Sequence, residues 1–218
     1  LISTFARKTE QMFVHIQNGY AQIKENGYNV FYYENGIKSS EGYLINGNPD
    51  GYWKTYYETG TLKTEGKRSN FLLDSIWVFY HKNGEIKQKI SYKKNQRNGL
   101  FYFYNKYGTL LEKTEYFLDK KNGKSIIYEP IDSGYNSYKF NELIYLNNVE
   151  QGITFEYDQS GRIITITEYN KGVRKSRDVI NRFDLNGEKN GKWVEFFPDG
   201  KVKWEGKYYH GILNGNIK

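Results

Sequence analysis

Gly27, Gly51, Ser75, Gly99 and Gly123 lie 24 residues apart, and Gly152, Gly191 and Gly215 continue the series at longer intervals. A second glycine follows nine residues later in six units, at Gly36, Gly60, Gly84, Gly108, Gly161 and Gly200. With the first residue of each unit as position 0, position 5 is always aromatic: Tyr32, Tyr56, Tyr80, Tyr104, Tyr128, Tyr157 and Phe196. A fixed period of this kind marks a stacked repeat, in which each unit buries its apolar face only against its neighbours.

The unit reads as a hairpin. Its first glycine follows Asn or Asp at 26/27, 50/51, 98/99, 122/123, 190/191 and 214/215, and Asn-Gly recurs at 35/36 and 83/84. Flanked by apolar alternation, such dipeptides are a strong short-range hairpin signal. The spacing predicts an all-β chain, an elongated antiparallel meander of tandem hairpins in a single twisted or curled sheet. Residues 1–26 form an N-terminal segment, 27–122 four regular units, 123–190 irregular units and 191–218 a final unit with a partial successor. The irregular stretch has five extra residues around 130–138 and about half a unit extra before 191, so a bend or bulge is expected near 130–150 and an added strand near 177–184.

Register rests on Pro198. In Phe197-Pro198-Asp199-Gly200 the ring fixes φ near −65°, which a type I′ turn forbids and a type I turn with a following G1 bulge accepts. Positions 6 and 10 then flank the loop, and odd positions 1, 3, 5, 11, 15 and 17 share one face, the expected core: Ile76, Val78, Tyr80, Ile86, Ile90 and Tyr92 in the third unit, Leu100, Tyr102, Tyr104, Leu110, Thr114 and Tyr116 in the fourth. The other face alternates rings with charged stems and sets Trp53 opposite Glu65, Trp77 opposite Lys89 and Trp193 opposite Glu205.

Composition agrees. Aromatics make up 18% of the chain, alanine occurs only at Ala6 and Ala21, and three prolines interrupt it. Such a chain favours pleated strands over helices. There is no cysteine, which removes disulfides, thiolate metal sites and thiol nucleophiles together. No apolar run approaches the roughly 18 residues of a membrane span. The opening Leu1-Ile-Ser-Thr-Phe-Ala6, with Thr4 and Ala6 ahead of Arg7-Lys8, suits either the tail of a signal segment or a short first strand, so the expected location is the cytoplasm or, after export, the cell envelope.

A search for catalytic chemistry finds no nucleophile elbow, phosphate loop or zincin helix. His15, His81 and His210 stand at different repeat positions and read as isolated, and the acids Glu41, Glu65 and Glu205 recur singly at position 14. No enzyme, cofactor or metal is expected. The net charge of +7 is carried by 25 Lys against 7 Arg, with Glu interleaved, which breaks the continuous positive stripe of a nucleic-acid site. Lys-rich strands leave peripheral contact with anionic headgroups open.

The segments GYWKTYYETGTLKTEGKRSN at 51–70 and GKWVEFFPDGKVKWEGKYYHG at 191–211 resemble the bacterial variant of the MORN repeat, as found in the YwqK-type antitoxin family. The shared residues are the turn glycines, the position-2 ring (Trp53, Trp77, Phe101, Trp193), the position-5 ring and Glu-Gly at 41/42, 65/66 and 205/206; Asn29, Ser125 and Thr154 interrupt the position-2 series. The resemblance implies a non-catalytic β-repeat scaffold, often in toxin-immunity settings, and the expected function is binding of a protein partner, a toxin that it neutralises or an envelope component; the alternative is a structural or accessory component of the bacterial cell envelope. The rings Trp53, Tyr57, Trp77, Phe79, Phe101, Phe103 and Trp193 are the candidate protein-binding residues.

Overall fold

The computed structural model describes residues 23–197 and 200–215. The segment 1–6, His15 and Pro198 lie outside the described residues. The chain is all-β and antiparallel, and divides into two compact units between Gly108 and Thr109.

In the first unit β1 (Gly27–Tyr32), β2 (Lys38–Ile45), β3 (Asn48–Tyr56), β4 (Leu62–Ser69), β5 (Leu72–Tyr80), β6 (Ile86–Lys93) and β7 (Gln96–Tyr104) pair in chain order. In the second, β8 (Leu110–Phe117), β9 (Lys120–Ile131), β10 (Asn136–Leu146), β12 (Gly152–Tyr157), β13 (Ile163–Asn170) and β14 (Val173–Val179) do the same, with β11 (Val149–Glu150) beside β10. The extra residues near 130 lengthen the β9–β10 hairpin, closed by a 3-10 turn at Asp132–Gly134 and bulged between Lys139 and Asn141. A separate four-stranded sheet follows: β15 (Arg182–Phe183), β16 (Lys189–Phe196), β17 (Val202–Tyr209) and β18 (Ile212–Leu213).

The five-residue loops match the sequence reading. The Tyr33 amide donates to Ile37 O at 2.8 Å and the Gly36 amide to Tyr33 O at 2.9 Å, the two bonds of a type I turn with a G1 bulge. The Phe197 amide, donating to Lys201 O at 2.8 Å, and the Gly200 amide, donating to Phe197 O at 2.9 Å, repeat them. Position 6 then ties successive loops together, Tyr57 Oη donating to Tyr80 O at 2.7 Å and His81 Nε2 meeting Tyr104 O at 3.1 Å.

The other end differs from expectation. The chain reverses in two-residue turns with positive φ at both positions, among them Asn46/Gly47, Asn70/Phe71, Lys94/Asn95 and Leu118/Asp119, the signature of type I′. Gly51, Gly99, Gly123 and Gly191, expected in turns, lie inside β3, β7, β9 and β16. Gly51 sits at φ 68° in a bulge, since Gly42 faces Trp53 while Tyr43 already faces Asp50. The side chain ahead of this glycine caps a turn: Asn26 Oδ1 accepts the Asn46 amide at 3.0 Å and Gln151 Oε1 the Lys171 amide at 2.9 Å. Asn-Gly here therefore marks a bulge and a cap, because both uses need a positive φ beside an amide acceptor.

A further bulge moves the register. In the β3–β4 hairpin Tyr56 faces Leu62 but Thr55 faces Thr64, so Lys63 is the unpaired extra residue; Ser39, Lys87, Ile164 and Lys203 occupy the same place elsewhere. From position 13 onward the second strand exchanges faces. Positions 1, 3, 5, 11, 14 and 16 share one surface, the Tyr face, and positions 2, 4, 13, 15 and 17 the other, the Trp face. Trp53 thus lies opposite Gly66, Trp77 opposite Ile90 and Trp193 opposite Gly206, not opposite Glu65, Lys89 and Glu205.

Burial corrects the expected core as well. Ile76 is 59% exposed, whereas Phe31, Leu44, Trp53 and Trp77 form a buried cluster on the Trp face, with Leu73, Phe79 and Tyr92 packed against it. Residue size is complementary between position 15 and the position-2 residue of the next unit: Gly42 faces Trp53, Ile90 faces Phe101 and Thr114 faces Ser125. A Cβ on Gly42 would stand 2.5 Å from the Trp53 ring, which explains the Glu-Gly pair: only a bare backbone admits the indole.

In the second unit the meander breaks after β14, and Asn181 spans the gap. Its Nδ2 donates to Ile163 O at 2.9 Å and Val194 O at 3.0 Å, and its Oδ1 accepts the Val194 amide at 2.7 Å. Ile180 beside it is fully buried.

Candidate protein-binding surface

Of the sequence-derived candidates, Trp53, Trp77 and Trp193 are 7%, 4% and 8% exposed. Each indole serves the fold. Trp53 Nε1 donates to Tyr43 O at 2.9 Å, Trp77 Nε1 to Lys67 O at 2.8 Å and Trp193 Nε1 to Arg182 O at 3.1 Å. In the first two the accepting carbonyl belongs to the residue at the bulge, so the ring satisfies a backbone group that the ladder leaves over. Tyr57, Phe79, Phe101 and Phe103 are half-buried, Tyr57 with its hydroxyl committed to the neighbouring loop. The structure therefore places Trp53 and Trp77 together in the interior of the first unit and buries Trp193 within the second, while Phe101 stays half-buried.

The exposed rings of the first unit lie on the opposite face. Tyr28, Tyr43, Tyr52 and Ile76 are 44%, 55%, 54% and 59% exposed and stand on β1, β2, β3 and β5. Tyr28 and Tyr43 are direct cross-strand partners with an edge-to-face contact of 5.3 Å. Tyr52 and Ile76 occupy position 1, immediately after the bulge residues Gly51 and Ser75, and the bulge lifts them outward. Large apolar side chains repeated on one rigid sheet face are the kind of surface that partners bury. Strict alternation assigns Tyr28, Tyr52 and Ile76, all at position 1, to the core and Tyr43, at position 16, to the opposite face; the Glu-Gly pairs ahead of Trp53 and Trp77 are the signal that would have corrected the assignment.

Beneath this row runs a polar ladder. The Tyr56 hydroxyl donates to Glu41, and Tyr80 Oη donates to Glu65 at 2.5 Å. Lys38 Nζ lies 2.7 Å from Glu41 and Lys54 Nζ 4.0 Å from Glu65. Burial alone would raise the Glu41 carboxyl, but hydrogen bonds from Lys38, Tyr56 and Tyr28 outweigh it and hold the group at about 2. Burial, with Glu41 alongside, pushes Tyr28 up to about 12. The ladder anchors the stems of the exposed rings, so the row is held in place before any partner arrives.

His210 is not isolated. Its Nδ1 lies 2.7 Å from Asp184 Oδ2, and Glu188 completes a group whose ligand atoms all fall within 4.8 Å. Asp184 Oδ1 already accepts the amides of Asn186 at 2.9 Å and Glu188 at 3.0 Å, closing its own loop. Those amide bonds, Glu188 first, together with His210 hold the Asp184 carboxyl below its usual range. Among the described residues this is the one set with the spacing of a cation site.

No curated protein matches the chain. The MORN repeat variant matches residues 49–70, 73–94 and 189–210. Each matched segment holds one of the buried indoles, Trp53, Trp77 or Trp193, so the repeat motif coincides with the structural unit of the fold. MORN repeats are generally modules that bind proteins or membranes, and these three segments of the chain are similar to the MORN repeat variant.

Proposed function

We propose that the protein is a non-catalytic scaffold that binds a protein partner through the Tyr face of its first unit, and that the partner is a toxin which it neutralises. The observation that carries the binding reading is the exposed row Tyr28, Tyr43, Tyr52 and Ile76 on a rigid sheet. Tyrosine supplies large contact area at low entropic cost, and such rings dominate binding energy when a partner desolvates them. The toxin as partner rests on the resemblance to antitoxin repeats noted in the sequence.

The test is capture from native lysate at physiological salt by the wild type and by Tyr43→Ala/Tyr52→Ala/Ile76→Ala. These side chains are exposed, so the triple variant keeps its fold, and affinity falls by at least about a hundredfold. A toxin identified in the wild-type complex and lost from the variant supports the proposal. Absence of a stoichiometric partner, or capture unchanged by the triple substitution, refutes it. Trp77→Phe serves as the contrast, lowering stability while leaving capture by the folded protein intact.

A further inference from the structure

In the second unit β14, Val173–Val179, ends the strand order. It is the one described strand longer than two residues in which every residue is exposed. Alternate residues of such an edge turn both N–H and C=O away from the sheet, a template for one more strand. Its sequence, Val-Arg-Lys-Ser-Arg-Asp-Val, is strongly basic, and Lys171 precedes it. Arg177 lies 3.5 Å from Glu156 and Asp178 lies 3.5 Å from Lys192. Arg174 and Lys175 have no ion pair among the described residues.

We infer that the outer edge of β14 accepts an acidic extended segment of a partner protein by strand addition. Cations on an edge repel a second copy of a chain whose net charge is +7, so this edge is closed to self-pairing. The same cations attract a strand carrying carboxylates at alternate positions, which supply what Arg174 and Lys175 lack. Seven residues match the length of an ordinary strand; Glu168 faces Ser176 while Tyr169 faces Arg174, so Lys175 is a bulge residue and the regular stretch that offers a ladder is Ser176–Val179. Main-chain hydrogen bonds then provide affinity and the charge pattern provides selection. The edge belongs to the second unit and the Tyr face to the first, so neither proposal depends on the other.

The probe is a fluorescein-labelled alternating Glu/Val heptapeptide, followed by anisotropy against the full chain. Saturable binding is expected, weakened by salt and reduced about tenfold or more by Arg174→Glu/Lys175→Glu, both exposed positions. A Glu/Val peptide N-methylated at alternate residues, which keeps the charge but blocks the ladder, is expected not to bind, nor is a Lys/Val peptide. Failure of the Glu/Val peptide to bind overturns the inference. So does equal binding of the N-methylated peptide, which means charge attraction alone, or affinity unchanged in the charge-reversed variant. A dimer of the free chain that the charge reversal alters would assign the edge to a second copy and overturn it too.

Discussion

Gly66→Ala isolates the contact that orders this fold. Gly66 has an ordinary strand conformation, and alanine in place of a strand glycine normally stabilises by about 0.5–1 kcal/mol through lost chain entropy. Here the added Cβ would stand 2.4 Å from Trp77 Cδ2, 2.5 Å from Cγ and 2.6 Å from Cε2, inside any tolerated contact. The indole is 4% exposed and belongs to the buried cluster, so it has no free volume to enter, and overpacking of this kind costs about 1–3 kcal/mol. If the ring swings aside, the 2.8 Å bond from Nε1 to Lys67 O is broken and the carbonyl loses its partner, a further loss of about 1–3 kcal/mol. The net expectation is destabilisation of about 2–4 kcal/mol, measured by urea unfolding with tryptophan fluorescence and circular dichroism. The decisive comparison is the same substitution in a Trp77→Ser background, which imitates the natural pair Thr114 and Ser125. There the Cβ meets open space, and Gly66→Ala becomes neutral or stabilising, a coupling of about 2–4 kcal/mol. Equal destabilisation in both backgrounds would show that backbone strain at position 66, and not the indole, excludes the side chain; a neutral effect in the wild type would remove the argument altogether.

Ser75 holds the bulge position at φ 59°, where its neighbours in the series use glycine, and Ser75→Gly is expected to raise stability by about 1 kcal/mol in the same unfolding assay. The Glu41 carboxyl lies at about 2 in the fold against an ordinary value of 4.5, so its contribution is complete above 4.5 and fades as pH falls toward 2; a stability-versus-pH series should show this slope in the wild type and lose it in Glu41→Gln. Asn181→Ala strands Ile163 O and both backbone groups of Val194 and places alanine at φ 52°, so a loss of about 3 kcal/mol or more is expected, with faster hydrogen exchange at the Val194 amide. Thr114 and Ser125, each 1% exposed, share a 2.6 Å hydroxyl contact; Thr114→Val should cost about 1–3 kcal/mol, and adding Ser125→Ala should cost less than the sum of the single changes in a thermal-unfolding cycle.

The 24-residue period, the antiparallel hairpins and the five-residue loops at 33–37 and 197–201 are legible in the amino-acid sequence, because each rests on local conformational demands: a glycine at positive φ, a fixed proline angle, a ring at constant spacing. Which face is interior is not legible in this way. It turns on single extra residues such as Lys63, and on the bulge at Gly51, each of which exchanges or lifts every side chain beyond it. Nothing local to Lys63 marks it as unpaired. The register is chosen by groups from different strands, the Trp53 ring over bare Gly42 and its N–H on the carbonyl of Tyr43. That choice carries the tryptophans inward and leaves Tyr28, Tyr43, Tyr52 and Ile76 outside. Local chemistry set the repeat, and packing between strands decided which of its two aromatic series faces the solvent.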